Sequence, residues 1–432
     1  MAKVGNLIVV GTYEEFVLGY AIVPDEFHEK KLTLVQTFAC HSHRASVRSL
    51  AVGGVHLASG STDETVRLYD IVNQVESGLL NHHEGTVHAL AFTENGSHLI
   101  TAGEDGTIAV IRTGSWFTEK KWVGTHSGSA VTGISVHPSG KLALSIGSDN
   151  KIVTWNLVKG RKAYITNVSS RCRHGWGVGD VQWSPSGSSY AAFMSSHAEV
   201  YSVEIAGVSH TISCSNRVTC IAFLDDDIIL VGEESGEASI HKLEPPSVKG
   251  EEGKKEEIAR FQAHDRRVKC AKYVGPVEDG SRTAVHFVTA GGSGRICLWE
   301  LEDSEVTKVC EVGTGCRITC MTFVDLEKEL KVKKENEVPS KKTLSKNTGV
   351  KEKIIEPTAS KKRKIIDGKI SRNSNKKSLS KVNSSVDTSS SPKSKKISKK
   401  GTKSQNLSTS NQHKTSKVRS FNAGRWDVTP LE

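Results

Sequence analysis

Short apolar runs rich in Val, Ile, Leu and Thr, separated by clusters of Gly, Asn, Asp and Ser, recur through the first 326 residues of this 432-residue chain. Six keep a regular spacing: TVRLYD at 65–70, TIAVIR at 107–112, KIVTWN at 151–156, EVYSVE at 199–204, EASIHK at 237–242 and RICLWE at 295–300. Runs of this length and preference read as β-strands, because β-branched side chains pack well on a pleated surface while Gly, Asn and Asp accept turn geometry. Further runs stand near the start, NLIVVGTY, FVLGYAIV and LTLVQTF at 32–38, and one more, RITCMTFV, lies at 317–324. The chain is predicted to be all-β.

A polar set is threaded through these runs at nearly constant spacing. It reads His126, Ser145, Asp149 and Trp155 in the cleanest copy, His83, Thr101, Asp105 and Ile111 in the one before, and His43, Ser59, Asp63 and Tyr69 before that. In all three the Asp stands four residues after the hydroxyl and six before the aromatic or apolar position. This pattern resembles the WD40 repeat, one four-stranded propeller blade per roughly 40 to 45 residues. In such a blade the turn Asp accepts from the His, the other imidazole nitrogen reaches the Ser or Thr, and that hydroxyl meets the Trp indole N–H. His126, Ser145 and Asp149 also spell the residue types of a hydrolytic triad. Repetition argues against catalysis, since an enzyme needs one such site and a structural network is needed once per blade.

The six spaced runs supply the third strands of six blades. A seventh is expected from the amino-terminal runs, with RITCMTFV pairing beside them to close the ring so that no long sheet edge is exposed. The domain expected at 1–326 is therefore a seven-bladed WD40 propeller. Fidelity falls in the later blades. Blade five, about 178–204, has His197 in the slot of the turn Asp; blade six has Ser235 there and His241 at the Trp position; blade seven keeps His264, Thr289 and Trp299 but has Ser293 for Asp. Two insertions interrupt the rhythm, SSRCRHGWGVG at 169–179 and EPPSVKGEEGKKEE at 244–257, the second of disorder-prone composition and read as tolerated.

Composition changes the picture once the chain is divided. Residues 1–326 carry 30 Lys and Arg against 38 Asp and Glu, whereas 327–432 carry 28 against 10, so the overall +10 is a propeller of −8 joined to a tail of +18. The tail is rich in Ser and Asn and nearly without aromatics before Phe421, so it is expected to be disordered on its own. Lys361, Lys362, Arg363 and Lys364 form one basic run, and Lys393, Lys395, Lys396, Lys399 and Lys400 a second. Such runs read as nuclear localisation or nucleic-acid patches, and the expectation is nuclear import with affinity for RNA. No stretch approaches 18 consecutive apolar residues, and the start lacks a signal-peptide cleavage site, so a soluble intracellular protein is expected with no membrane partner.

Cofactors and metals are not expected. Cys40 with His41 and His43, Cys172 with His174, and Cys316 with Cys320 all lack the paired spacing of a structural zinc site. GGSG at 291–294 and GWGVG at 175–179 have glycine but no following helix or Lys-Ser/Thr ending, so they read as turns. Nine cysteines, several inside strand runs, are expected to pack as small hydrophobes without disulfides.

The stretch HPSGKLALSIGSDNKIVTWNLVKGRKAYI at 137–165, followed by VQWSPSG at 181–187, resembles the p21-activated-kinase-interacting protein 1 family, as do NLIVVGTYEEFVLGYAI, LASGSTDETVRLYD, LLNHHEGTVHAL, FQAHDRRVK and the Lys-rich end. The resemblance spans the propeller, and the tail matches in composition alone. The insertion at 169–179 departs from the family and puts in doubt any partner contact carried across from that rim. The resemblance implies a non-enzymatic nucleolar scaffold in maturation of the large (60S) ribosomal subunit, with ribosome-assembly proteins, the pre-60S particle and ribosomal RNA as partners. In some members it also implies negative regulation of p21-activated kinase, which leaves a signalling scaffold as the alternative. No small-molecule substrate is expected, and whether Arg425, Trp426 and Asp427 form a docking motif is open.

Overall fold

A computed structural model of the chain describes residues 6–25, 28–172, 177–246, 252–276 and 284–326. The basic runs at Lys361–Lys364 and Lys393–Lys400, the end around Arg425–Asp427, and His174 of the first insertion lie outside the described residues. The described strands form seven antiparallel four-stranded sheets. Blade one combines both ends of the domain: Ile318–Asp325 lies beside Asn6–Thr12, followed by Val17–Asp25 and His28–Cys40. Blades two to seven each use four consecutive strands, beginning at Val47–Gly53, Val87–Phe92, Val131–Val136, Val181–Trp183, Val218–Phe223 and Val268–Pro276. Each first strand touches the first strands on either side, and Ile318–Asp325 closes the circuit between blades seven and two.

The strand chemistry explains this closed ring. Alternate side chains of a strand point to opposite faces, and here both faces are apolar. In Asn6–Thr12, Leu7 and Val9 pack against blade two while Ile8 and Val10 pack against blade seven. The same division gives seven apolar clusters, one between each pair of neighbouring blades. First strands are also joined laterally by hydroxyls. Thr319 Oγ1 donates to the Val47 carbonyl at 2.5 Å, Ser49 Oγ to that of Val87 at 3.1 Å, and Thr219 Oγ1 to that of Val268 at 2.5 Å.

Two sequence expectations need correction. The third strand of blade five is His197–Ser202, not the 199–204 run, because its turn is one residue tighter: Met194 pairs directly with His197. His197 is thus a strand residue and does not occupy a turn-Asp slot. The second insertion is also partly ordered. Its residues from Lys255 begin the outer strand of blade six, Lys255–Gln262; Glu252 Oε1 accepts from the Thr211 backbone N–H at 2.7 Å, and the Gly253 N–H bonds the Ser209 carbonyl at 2.8 Å.

Gly236, in the second turn of blade six, has φ +93°, and its carbonyl accepts from the N–H groups of Ala263 and His264. A Cβ there would collide with the His264 carbonyl, which is rigid backbone. Gly236→Ala is expected to destabilise the fold by about 2 kcal/mol or more, against about 1 kcal/mol for Gly315→Ala, which meets only the positive-φ penalty. Thermal or urea unfolding of both variants checks the difference.

Candidate functional site

The repeated polar residues converge inside the blades. In blade four, His126 Nδ1 lies 2.9 Å from Asp149 Oδ1, His126 Nε2 lies 2.7 Å from Ser145 Oγ, and Trp155 Nε1 donates to Ser145 Oγ at 2.8 Å. Ser145 is completely buried and His126 nearly so. Geometry sets the proton direction: with Nδ1–H donating to the carboxylate, Nε2 accepts the Ser145 proton, which leaves the Ser145 oxygen to accept from the indole. Gly147 makes the close approach possible, because a side chain there would meet the imidazole ring; Gly103 under His83 and Gly291 under His264 serve the same purpose.

Blade two repeats the scheme with one exchange. His43 reaches Asp63 at 3.0 Å and Ser59 at 2.7 Å, and Ser59 Oγ lies 3.3 Å from the Tyr69 hydroxyl. In blade three His83 reaches Asp105 at 3.2 Å and Thr101 at 2.8 Å. Ile111 has no donor for Thr101, and a residue the sequence reading missed supplies it: His82 Nε2 lies 2.7 Å from Thr101 Oγ1. Since Thr101 gives its single proton to His83, His82 must donate. The His-His doublet in NHHEG was the available signal.

The weaker blades replace the set by other means. Blade seven retains His264 on Thr289 at 2.9 Å and Trp299 on Thr289 at 2.8 Å, with the Cys297 thiol 4.0 Å from His264 Nδ1 on the side where blade four has its Asp. In blade six, Cys214 stands four residues before the first strand, where His43 stands in blade two, and Ser235 fills the Asp slot. The charge there comes from fully buried Glu233, which accepts from the Asn216 N–H at 3.0 Å and from Arg260 at 3.3 Å, while His241 bonds Ser239 at 2.9 Å. In blade five the first insertion contributes directly. Arg171 donates to Glu199 at 3.0 Å and to the Tyr201 hydroxyl at 3.2 Å, and Tyr201 donates to Glu199 at 2.6 Å.

Burial governs the charge states. It pushes His82 and His264 down to about 4, and holds His126 and His83 below the usual value although Asp149 and Asp105 pull the other way. Burial alone would raise the turn carboxyls, but hydrogen bonds reverse it: those from His43, Thr65 and the Arg44 N–H hold Asp63 well below the carboxylate range, and Asp149 and Asp105 are lowered likewise. The His126–Asp149 and His83–Asp105 pairs are neutral imidazole on carboxylate. Ser145 has its proton committed to His126 and its oxygen to Trp155, inside the sheet packing, so no substrate carbonyl can approach it.

The grouping of Cys40, His41 and His43 does not assemble. Cys40 Sγ is 2.8 Å from Ser42 Oγ, exposed His41 bonds Glu15, and His43 belongs to its polar set. Among the described residues no group of three or more His, Cys, Asp or Glu is placed to hold a metal ion. All nine cysteines are free, and burial pushes Cys297 and Cys320 up to about 12, as suits thiols packed as hydrophobes.

The model of the WD domain, G-beta repeat, matches residues 32–70, 74–111 and 119–156. Each match opens on the outer strand of one blade and ends on the third strand of the next, the offset expected of a ring closed by both chain ends. A zebrafish (Danio rerio) protein, p21-activated protein kinase-interacting protein 1-like, is 34% identical over 317 residues, covering 73% of this chain and 79% of that protein. The chain belongs to the p21-activated protein kinase-interacting protein 1 family. The human member is 31% identical over 73% of this chain and 76% of its own length, and Protein MAK11 of Saccharomyces cerevisiae is 26% identical over 76% and 86%. The chain is thus a WD40 propeller scaffold, and its buried polar chains shape the blades that carry whatever surface a partner meets.

Two outcomes are expected. Asp149→Ala leaves His126 without its acceptor and lowers stability by about 1–3 kcal/mol, read as a fall in melting temperature. Acid acts on the same groups. The unfolded histidines bind protons near 6.5, while His82 and His264 resist until about 4, so the unfolded state holds more protons across that window. Stability should be intact above pH 6.5 and fall toward pH 4, with each of the two histidines removing up to about 1.4 kcal/mol per pH unit descended. Melting curves across that range test the sign.

Proposed function

We propose that this propeller is a non-enzymatic scaffold for maturation of the large ribosomal subunit, acting in the nucleolus. The observation that carries the reading is the charge division, a propeller of −8 joined to a tail of +18, with the two basic runs from Lys361 and from Lys393 in that tail. A rigid disc offers two faces and seven rims to assembly proteins at once. A polycationic tail tethered to it holds a nearby RNA segment, and the linkage raises the effective concentration of the second contact. The family resemblance of the propeller sequence supports the same reading. The basic runs serve nuclear import, and RNA affinity resides in Lys and Arg contacts to phosphates.

A second reading is favoured by names among the relatives: p21-activated protein kinase-interacting protein 1 in human, and Shk1 kinase-binding protein 15 in Schizosaccharomyces pombe, 26% identical over 79% of this chain. In that reading the propeller binds and restrains a p21-activated kinase.

Depletion separates the two. Impaired large-subunit production, with small-subunit production preserved, is expected on the assembly reading; normal subunit ratios and precursor RNAs with altered kinase activity would favour the second. A chain ending at residue 326 is expected to lose nuclear accumulation and most RNA affinity, and the affinity of the full chain should fall steeply with added salt as counterions compete. Nucleolar accumulation of the shortened chain would place the address in the propeller.

A further inference from the structure

Blades two, three and four border a cleft that the proposed function does not use and that meets the polar sets only at Trp155. Its inner part is a cavity of about 820 Å³, with Val55, Ile100, Val110, Pro138, Leu157 and Val158 in its lining. Two stretches of chain continue it outward, Glu119–Val123 on blade three and Leu157–Lys162 on blade four. Between them at the rim lies a second hollow of about 400 Å³, flanked by Lys120, Lys121, Trp122, Arg161 and Lys162. Glu119 and Val158 line the inner cavity, and Lys120 and Gly160, one and two positions further along the same stretches, line the outer one, so the two hollows lie next to each other along these stretches without a common wall.

The walls are fixed before any ligand arrives. Trp122 Nε1 donates to the Gly160 carbonyl at 3.2 Å, the Trp122 ring packs on Trp155 at 4.6 Å between centroids, and Lys162 Nζ sits 5.5 Å over the Trp155 ring. A preformed groove spares the ordering cost of binding. Its charge is one-sided: Lys120, Lys121, Lys159, Arg161 and Lys162 are all exposed, while Glu119 is turned toward Arg112 and His98. On a propeller of net −8 this concentration of cations lies beside Val123 and Val158, each 75% exposed.

We propose that this cleft docks an extended acidic peptide of a partner protein, one apolar side chain entering the inner cavity and carboxylates lying along Lys120, Arg161 and Lys162, since Lys121 Nζ donates to the His82 carbonyl at 2.7 Å. The chain's own tail carries +18 and is repelled, so the occupant comes from another molecule. A peptide fits better than a nucleic acid because the inner cavity carries both apolar side chains, Val55, Ile100, Val110 and Leu157, and polar ones such as Asn95 and His98, and Glu94 and Glu119 in its lining disfavour phosphates. The outer strands Phe117–Trp122 and Arg161–Asn167 are also sheet edges, open to main-chain pairing with an extended segment. The cleft is independent of the ribosomal reading, since either kind of partner could present such a segment.

The test uses the full chain and a labelled synthetic peptide in which one Leu is flanked on both sides by Glu, followed by fluorescence anisotropy. Saturable binding is expected, weakened about tenfold by the pair Lys120→Glu and Arg161→Glu, by Val158→Lys, or by Leu-to-Ser exchange in the peptide, and weaker in high salt. The substituted side chains are exposed, so melting temperatures should be unchanged. Attraction of the peptide to the basic tail is common to all variants and cancels in the comparison. Absent binding, or binding untouched by both sets of substitutions, overturns the proposal. So does displacement of the peptide by a single-stranded oligouridine whose affinity falls with the same substitutions, which makes the cleft a nucleic-acid site. Concentration-dependent dimers abolished by those substitutions overturn it in favour of self-association.

Discussion

Every blade of this protein is apolar on both faces, and that constraint organises everything else. A two-faced sheet has no solvent side, so each must have a neighbour on either hand, and the arrangement that satisfies this for all seven is a ring. Leu7 and Val9 on one side of a single strand and Ile8 and Val10 on the other show the demand within four residues. Blade one meets it only because Ile318–Asp325 supplies the innermost strand that the amino-terminal segment lacks. The positions of the polar chains, the inter-blade hydroxyl bonds and the cleft between blades three and four all follow from that closure.

Within the ring, the polar sets solve a problem that packing creates. Four-stranded sheets joined by tight turns bring backbone and side-chain dipoles into dry surroundings, and an unpaired group there is costly. The one-way run of protons from Trp155 through Ser145 and His126 to Asp149 leaves each of the three donors in that run with an acceptor. A neutral imidazole suits this arrangement because it gives one proton and takes another, whereas an imidazolium would turn two donors on Ser145 and Asp149 and reverse the middle bond. Blades five and six use charged pairs instead, Arg171 with Glu199 and Arg260 with Glu233, the first reaching in from an insertion and the second from the blade's own outer strand.

That difference explains what the sequence reveals. The strand runs, the seven blades and the three His, Ser or Thr, and Asp sets were legible because each repeats at fixed spacing, and repetition exposes residues whose role is common to all copies. His82, Arg171, Glu199 and Glu233 were not legible, since each acts in one blade as a local repair. His82 compensates for Ile111; Arg171 comes from an insertion that looks like an interruption. The shift at His197 was hidden because a turn shortened by one residue moves the strand start without changing the residue types around it. Charge in the cleft was equally silent: Lys120 and Arg161 are far apart in sequence and become neighbours only when blades three and four are placed side by side.

The join in blade one has a consequence for how the protein is made. Gly11 and Thr319, which meet across the closure, are 308 positions apart. A ribosome adding about 5–20 residues per second delivers the closing strand some tens of seconds after the strands it must pair with have emerged. Through that interval blade one offers an open edge and an unfilled inner position, so the nascent chain depends on shielding until its closing strand is released. Any premature stop before Ile318 would make that exposure permanent, and the resulting product should be recognised by quality control as a defective chain rather than persist as a shorter scaffold.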